Sequence, residues 1–256
     1  MAALKIVLPV AALAAAVLAA PLPASAHDVW ITTMGQGGQT RAVVNFGHPD
    51  DRSLPYLEKL VTLDVVSGTG KMSLRGVKFA EGHAGKAAVL ITPPFAMPSS
   101  AKLISASYDN GYYAKVGNDY FNTSTRMLPG ASDSLWAPKF TKTLLGPGAY
   151  ATVVGHDIEL VPVEDPFRLA AGRDLHVKVL FRGKPLAGEK VELGDGQTPV
   201  VDKDIPRFTT DSRGVATIPM KRRGEVLLTV DHSVPGANPT LAKTDFYNAS
   251  LEFTLR

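Results

Sequence analysis

Two histidines in the sequence stand where they could bind a transition metal together. His27 follows the small-x-small tripeptide Ala24-Ser25-Ala26, so cleavage after Ala26 would make His27 the first residue of a mature chain. Its free α-amine and its imidazole Nδ1 could then close one chelate ring on a divalent ion. Amine and imidazole nitrogens suit copper, nickel, cobalt and zinc.

His48 is the predicted second ligand of this site. It follows the β-rich run Arg41 to Phe46 and opens the loop Gly47-His48-Pro49-Asp50-Asp51, and residues in such loops often carry function. If residues 29–33 and 41–46 form an antiparallel hairpin, paired residue numbers add up to about 75, which places His27 opposite His48. Three nitrogens would then form a compact site with an open coordination position.

The other polar candidates rank below this pair. His232, just after the strand-like run Val226 to Val230, is the third candidate metal ligand. Asp28, Asp50 and Asp51 could add oxygen ligands. We expect structural roles for the remaining histidines, in a solvated turn, between domains and on the polar face of a strand; these are His83, His156 and His176.

The sequence excludes several kinds of chemistry. It contains no cysteine, and therefore no disulfide framework, thiolate metal site or cysteine nucleophile. It lacks the Gly-x-Ser-x-Gly elbow, the His-Glu-x-x-His zinc motif and a dinucleotide-binding fingerprint, so we expect a protein that is not an enzyme. One enzymatic alternative stays open, because an N-terminal histidine that chelates copper also resembles the site of polysaccharide-oxidising monooxygenases.

Residues 1–26 have the organisation of a cleaved signal peptide. Lys5 supplies the positive charge, and Ile6 to Ala20 is an apolar run interrupted only by Pro9. A membrane-spanning helix needs about 20 predominantly apolar residues, which is more than this run provides. We therefore expect a periplasmic mature chain, residues 27–256, without a membrane anchor.

The charge of the predicted mature chain is nearly balanced. Removal of Lys5 from the 27 basic residues leaves 26 against 24 acidic residues, a net charge of +2. These charges are interspersed and form no basic block. Nucleic acid is therefore not an expected partner.

The pattern of apolar residues predicts an all-β protein with little helix. Short β-rich runs recur between turn signals, and Asp109-Asn110-Gly111 is predicted to be the turn of a hairpin. Only two segments, Ser53 to Leu60 and Ala137 to Leu145, have the spacing and termination signals of helices.

A change of pattern near Gly155 predicts two β-rich domains, residues 27–155 and 156–256. In the second, apolar residues recur at every other position from Leu175 to Phe181, as in a half-buried strand. Strand signals repeat at regular spacing over about 100 residues, which is typical of an immunoglobulin-like or transthyretin-like β-sandwich.

Six short segments spread over nearly the whole mature chain form an ordered set. They are His27-Asp28-Val29-Trp30-Ile31, Asp109-Asn110-Gly111-Tyr112-Tyr113, Lys139-Phe140-Thr141-Lys142-Thr143-Leu144-Leu145, Glu159-Leu160-Val161-Pro162 with Asp165-Pro166, Gly183-Lys184-Pro185-Leu186-Ala187-Gly188-Glu189-Lys190-Val191 and Thr210-Asp211-Ser212-Arg213-Gly214. Together they resemble the domain of unknown function 4198 family, periplasmic proteins associated with nickel and cobalt uptake systems. The last two segments also resemble carboxypeptidase-regulatory-like and transthyretin-like modules, which are usually binding or scaffold units.

Three classes of function remain. The favoured one is a periplasmic protein that binds nickel or cobalt as an accessory of metal uptake, with components of a membrane transporter as partners. The resemblance alone selects these two metals, since copper or zinc would also suit the nitrogen ligands. The second class is a β-sandwich interaction module without metal, and the third is the copper monooxygenase.

Overall fold

The computed structural model describes residues 27–256, and its regular secondary structure is almost entirely β. The strands are β1 (Asp28–Gln36), β2 (Gln39–His48), β3 (Asp51–Arg52), β4 (Leu60–Ser67), β5 (Gly70–Ser73), β6 (Ala80–Ala84), β7 (Ala87–Ile91), β8 (Ala101–Val116), β9 (Asp119–Phe121), β10 (Asp133–Leu144), β11 (Ile158–Pro162), β12 (Asp174–Phe181), β13 (Lys184–Pro185), β14 (Lys190–Gly194), β15 (Arg207–Thr209), β16 (Val215–Pro219), β17 (Gly224–Pro235) and β18 (Thr244–Leu255). Short 3-10 helices span Leu57–Lys59, Pro166–Arg168 and Asp202–Asp204. The predicted all-β class is confirmed. Within this range no helix is long and apolar enough to cross a membrane, and the predicted signal peptide, residues 1–26, lies outside the described residues.

The strands of residues 27–256 form three sheets. One has five strands in the order β1-β2-β7-β6, with β3 paired to β2. The largest has nine strands in the order β15-β14-β17-β18-β10-β8-β4-β5, with β9 paired to β8. The third has four strands, β11-β12-β13, with β16 paired to β12.

The two smaller sheets cover opposite faces of the nine-stranded sheet. Successive side chains of a strand point to opposite faces. On β8, Leu103 belongs to the core that contains β11, β12 and β16, and its neighbour Ile104 belongs to the core that contains β1, β2 and β7. Val66 and Val65 of β4 divide in the same way. The architecture is therefore three layers of sheet with two hydrophobic cores.

The nine-stranded sheet contains strands from both sides of residue 155. β10 and β18 lie side by side and parallel, with Leu135 opposite Thr244 and Thr143 opposite Glu252. The core under the four-stranded sheet likewise joins Leu144 to C-terminal residues such as Phe253. The boundary near Gly155 stays a prediction, and the central sheet runs without a break across the two proposed domains.

Edge strand β1 is covered by side chains of the nine-stranded sheet. The hydroxyl of Ser250 donates to the carbonyl of Val29 at 2.6 Å, and that of Thr143 donates to the carbonyl of Ile31 at 2.5 Å. An edge strand leaves a row of backbone groups without a neighbouring strand. These two hydroxyls satisfy carbonyls of that row and hold β1 against β10 and β18.

Both helix predictions were wrong. Ala137 to Leu145 lies almost entirely in β10, which is paired with β8 on one side and β18 on the other. Pairing on both sides outweighed the weak helical spacing of this segment. Ser53 to Leu60 contains only the single turn Leu57–Lys59, and Leu60 already begins β4.

The hairpin predicted at Asp109-Asn110-Gly111 was also wrong, because β8 runs through it. Asp109 lies opposite Pro138, and Tyr112 lies opposite Trp136. Between these two pairs β8 advances by three residues and β10 by only two. One extra residue in one strand is the definition of a β-bulge. Pro138 has no backbone N–H to give to the ladder, which explains why the irregularity falls here.

The two segments that resemble transthyretin-like modules lie against each other. The hydroxyl of Thr210 donates to the carbonyl of Leu186 at 2.9 Å and accepts from the backbone N–H of Glu189 at 3.0 Å. Gly214 has φ +74°, and a Cβ there would lie 2.7 Å from the backbone nitrogen of Leu186. The contact between the two segments therefore explains why Thr and Gly stand at positions 210 and 214.

Candidate functional site

His27 and His48 lie next to each other at one end of the five-stranded sheet. In the β1–β2 hairpin Asp28 pairs with Gly47 and Gln36 pairs with Gln39, which is the register expected from the sequence. The short turn at Gly37-Gly38 leaves no room for another register. The same register continued by one residue sets His27 opposite His48, and their ring centroids are 5.5 Å apart.

Asp51 reaches His27 because the chain folds back sharply after β2. His48 pairs with Asp51 and Gly47 with Arg52 across the Pro49-Asp50 turn. A side chain at position 47 would collide with the backbone of Asp51, and Gly47 also has φ +118°. This turn brings a carboxylate oxygen of Asp51 to 3.2 Å from Nε2 of His27.

Arg52 fixes the short strand that carries Asp51. Its guanidinium lies 4.8 Å from the centre of the buried Trp30 ring and donates to Oδ1 of Asn45. Cation–π contact and a charge-assisted hydrogen bond both favour one position of the arginine. The loop after His48 is thus tied to both β1 and β2.

His48 has a different environment at each of its two ring nitrogens. Nδ1 lies 3.8 Å from a carboxylate oxygen of Asp28, which is the separation of an ion pair rather than of a hydrogen bond. Nε2 is buried and has no hydrogen-bond partner among residues 27–256. A buried imidazole nitrogen without a hydrogen-bond partner is uncommon, and its lone pair could bind a metal ion.

A buried polar network lies beneath the histidine pair. The side-chain nitrogen of Asn248 donates to Asp28 and to Asp231, at 2.8 Å in each case. Lys139 lies beside both carboxylates, is 1% exposed and has no hydrogen-bond partner within the described chain. Positive charge from this lysine partly offsets the two carboxylates.

Enclosure by protein raises the pKa of both carboxyl groups in this network. Burial is the largest cause at Asp28, where it raises the pKa to about 6 against the opposing effect of Lys139. At Asp231 the pKa is raised by loss of surrounding water and then by the nearby charge of Asp28. The pKa of Asp231 is raised further than that of Asp28, to about 7.

A cleft of about 310 Å³ opens beside His48. Among residues 27–256 its walls carry seven carboxylates and no lysine or arginine, together with apolar residues such as Leu227. The carboxylates are Asp28, Asp50, Asp51, Glu192, Asp195, Asp202 and Asp231. Arg207 pairs with Glu192 and Asp202, so the other five carboxylates are the ones that attract cations to the neighbourhood of the two histidines.

A larger cavity, about 760 Å³, adjoins this cleft along Leu193 and Gly194. It has charged residues of both signs, among them Lys221 and Glu225, and no histidine lines it. Its position and lining therefore separate it from the histidine pair.

The side chains near His27 fit a metal ion only in part. In residues 27–256 no group of three or more histidine, aspartate or glutamate side chains could hold a metal ion. Two imidazoles that bind one metal at about 2 Å keep their ring centroids within roughly 6.5 Å of each other. The observed 5.5 Å lies inside that limit, so the separation of the two rings is compatible with two imidazole ligands on one ion.

His232, the third predicted ligand, has other partners. Its Nδ1 lies 2.8 Å from Glu189, and its ring is in edge contact with Phe181. The neighbouring residue Asp231 is the one that lies at the cleft, because adjacent side chains of β17 point to opposite faces. Whether His232 binds metal stays a prediction.

The remaining three histidines are either exposed or in contact with residues outside the candidate site. His83 is exposed on β6, and Nδ1 of His176 lies 3.0 Å from Glu164. His156 is in ring contact with Phe140, and burial lowers its pKa to about 4. None of these contacts involves the pair His27–His48.

Sequence reasoning missed Asp231, Asn248 and Lys139. Asp231 stands beside a chosen histidine, and the two-residue period of its strand was the signal that could have found it. Asn248 and Lys139 lie on strands that become neighbours only through the parallel pairing of β10 and β18. No local pattern predicts that contact.

The fold and this site define a class of protein. It is an all-β protein with a histidine pair, formed by the residue before its first described strand and the last residue of its second. A family called "Domain of unknown function (DUF4198)" matches residues 24–234, and the chain belongs to that family. No curated protein matches the sequence. The resemblance noted from the six segments is confirmed at the level of the family.

Proposed function

We propose that the mature chain binds one divalent transition-metal ion through the α-amine and Nδ1 of His27 and through Nε2 of His48. The observation that carries this proposal is the 5.5 Å separation of the two imidazole rings across the β1–β2 hairpin. Cleavage after Ala26 would supply the amine as the third nitrogen. The proposed site then needs no third side chain as a ligand.

The proposed site has an open coordination position. Three nitrogen ligands leave room on a four- or five-coordinate ion for water or for a ligand that removes the metal. The acidic cleft beside His48 would raise the local concentration of cations. Both features suit a protein that collects a metal and passes it on, rather than one that retains the metal as a permanent part of its fold.

We propose nickel or cobalt as the metal and a periplasmic step of metal uptake as the setting. The family resemblance supports this choice, and membrane transporter components would be the partners. The chemistry of the ligands supports a wider set, because copper binds most tightly to nitrogen sites of this kind and zinc also suits them. The metal is therefore to be measured rather than assumed.

Calorimetry on the mature protein tests the proposal. A chain that begins at His27 is titrated with Ni²⁺, Co²⁺, Cu²⁺ and Zn²⁺, and a chain with one additional Ala before His27 is the matched variant. The extra residue turns the amine into an amide and should lower the affinity by about 100-fold or more, since loss of a ligand exceeds the roughly 10–100-fold effect of outer-shell changes. His48→Ala should lower it by at least about tenfold.

His83→Ala is the control, because this histidine is exposed on β6. Its affinity for metal should match that of the wild type. Equal affinities in the Ala-extended chain and the unmodified chain would exclude the proposed chelate. A mature protein that binds none of the four metals would instead support an interaction module.

A further inference from the structure

We propose that Asp51 and Asp28 are positioning residues that select which nitrogen of each imidazole is free for a metal. This inference deepens the proposed function and rests on it. Each of the two histidines has a carboxylate near one ring nitrogen, and the other ring nitrogen of His48 is buried without a hydrogen-bond partner in residues 27–256. The two carboxylates come from different elements, so the two imidazoles are oriented separately.

Asp51 acts on His27. Its carboxylate lies 3.2 Å from Nε2, where it favours the neutral tautomer that has its proton on Nε2. Nδ1 then keeps its lone pair. Only Nδ1 can close a six-membered chelate ring with the α-amine of the same residue, because Nε2 lies on the far side of the imidazole.

Asp28 favours the other tautomer at His48, the one that has its proton on Nδ1. Its carboxylate lies 3.8 Å from Nδ1, and the negative charge favours a proton there. Nε2 is left with its lone pair, buried and without a hydrogen-bond partner in the described part of the chain. A carboxylate beyond a ligating imidazole is a common way to fix the tautomer and orientation of a metal-binding histidine.

Both carboxylates are themselves held in place. Asp51 stands on β3, which pairs with β2 and is fixed by the contacts of Arg52 with Trp30 and Asn45. Asp28 accepts a hydrogen bond from Asn248 of β18. The orientation of His48 is therefore set from the nine-stranded sheet, and that of His27 from the five-stranded sheet.

The chain offers a matched control for each carboxylate. Asp119 is exposed on β9, which pairs with β8, so Asp119→Ala removes the same charge as Asp51→Ala outside the cleft. Asp174 is exposed on β12 of the four-stranded sheet, so Asp174→Asn makes the same chemical change as Asp28→Asn outside the site.

The experiment reads histidine tautomers by nitrogen NMR in the metal-free mature protein at about pH 8. The wild type should show the Nε2–H form at His27 and the Nδ1–H form at His48. Asp51→Ala should move His27 toward a mixture, and Asp28→Asn should do the same at His48. Affinity for Ni²⁺ and Zn²⁺ should fall by about 10–100-fold in each, while Asp119→Ala and Asp174→Asn should stay within about twofold.

Two negative results have different meanings. A wild type that binds metal, with tautomers and affinities unchanged in Asp51→Ala and Asp28→Asn, overturns the positioning role alone. A wild type that binds none of the metals overturns the proposed function, whatever the tautomers. Circular dichroism of each variant shows that the fold is retained, so a loss of affinity is assigned to the site.

Discussion

The hydroxyl of Ser250 donates a 2.6 Å hydrogen bond to the carbonyl of Val29, across 221 residues of sequence. It also lies 2.8 Å from the hydroxyl of Thr141. This contact attaches β1 to the centre of the nine-stranded sheet, directly behind the histidine pair. The position of His27 therefore depends on the C-terminal strand.

Ser250→Ala should destabilise the protein by about 1–3 kcal/mol. The substitution leaves the carbonyl of Val29 and the hydroxyl of Thr141 without this partner in a site where Ser250 is only 2% exposed. Urea unfolding measures the change. Ser233→Ala, at an exposed position of β17, should change the free energy of unfolding by no more than about 0.5 kcal/mol. Equal stability of the two variants would refute a structural role for the Ser250 hydroxyl.

Lys142→Met should destabilise the protein by about 3–5 kcal/mol. Lys142 and Glu159 form an ion pair at 2.8 Å, and each side chain is 1% exposed. Removal of the lysine leaves a buried carboxylate without its counter-charge. Glu159 also accepts backbone hydrogen bonds from Val154 and Gly155, so hydrogen exchange should increase at these two amides.

An exposed ion pair provides the comparison for Lys142→Met. Arg168 lies 3.6 Å from Asp165, and its side chain is 80% exposed. Arg168→Ala should cost no more than about 1 kcal/mol, as is usual for surface pairs. The double variant Lys142→Met/Glu159→Gln should be more stable than the sum of the two single changes predicts. An additive result would contradict coupling of these two charges.

Glu252→Gln should remove part of the pH dependence of stability. Burial raises the pKa of Glu252 from 4.5 to about 8, and Glu225 adds like charge. The folded protein therefore holds this proton more tightly than the unfolded chain does. The stability contributed by the protonated form is complete below pH 4.5, decreases as the pH rises toward 8 and is absent above it.

Urea unfolding at several pH values between about 5 and 9 tests this contribution. Wild-type stability should decrease with pH more steeply than that of Glu252→Gln. Glu58→Gln changes the same chemical group at an exposed position and should retain the wild-type slope. Parallel curves for wild type and Glu252→Gln would show that Glu252 does not titrate in this range.

Gly214→Ala should destabilise the protein by about 1–3 kcal/mol or more. The backbone there has φ +74°, and the new methyl group would lie 2.7 Å from the nitrogen of Leu186. Gly146→Ala meets nothing within 4 Å and should be close to neutral. Thermal unfolding of both variants makes the comparison. A neutral Gly214→Ala would mean that the two module-like segments do not need their close contact.

The part of the site that could be predicted from the sequence is the part made by a local hairpin. Strand alternation together with a short turn fixes a register, and the register sets His27 against His48. Asp51 is placed by the next turn, Pro49-Asp50, since it lies three residues after His48. Contacts within about 25 residues of sequence can be worked out from periodicity and turn length alone.

The network beneath the site could not be predicted in this way. The sequence around Lys139 gives no sign that this lysine is buried. Its burial results from β1 lying over the polar face of β10 and β18. Helical spacing misled the prediction for this very segment, because paired strands on both sides decide its conformation. Non-local pairing overrides local propensity, and its partners cannot be read from one segment.

The placement of β18 between β17 and β10 has a consequence for the order of folding. Both neighbours present open hydrogen-bonding edges until residues 244–255 take their place, and open edges are templates for association between molecules. Long-range pairing of this kind is slow, because the loop between the partners must close first. The large sheet is therefore complete only after the twelve-residue strand β18 has paired with both neighbours. A chain that ends before Thr244 should aggregate rather than fold into a smaller domain.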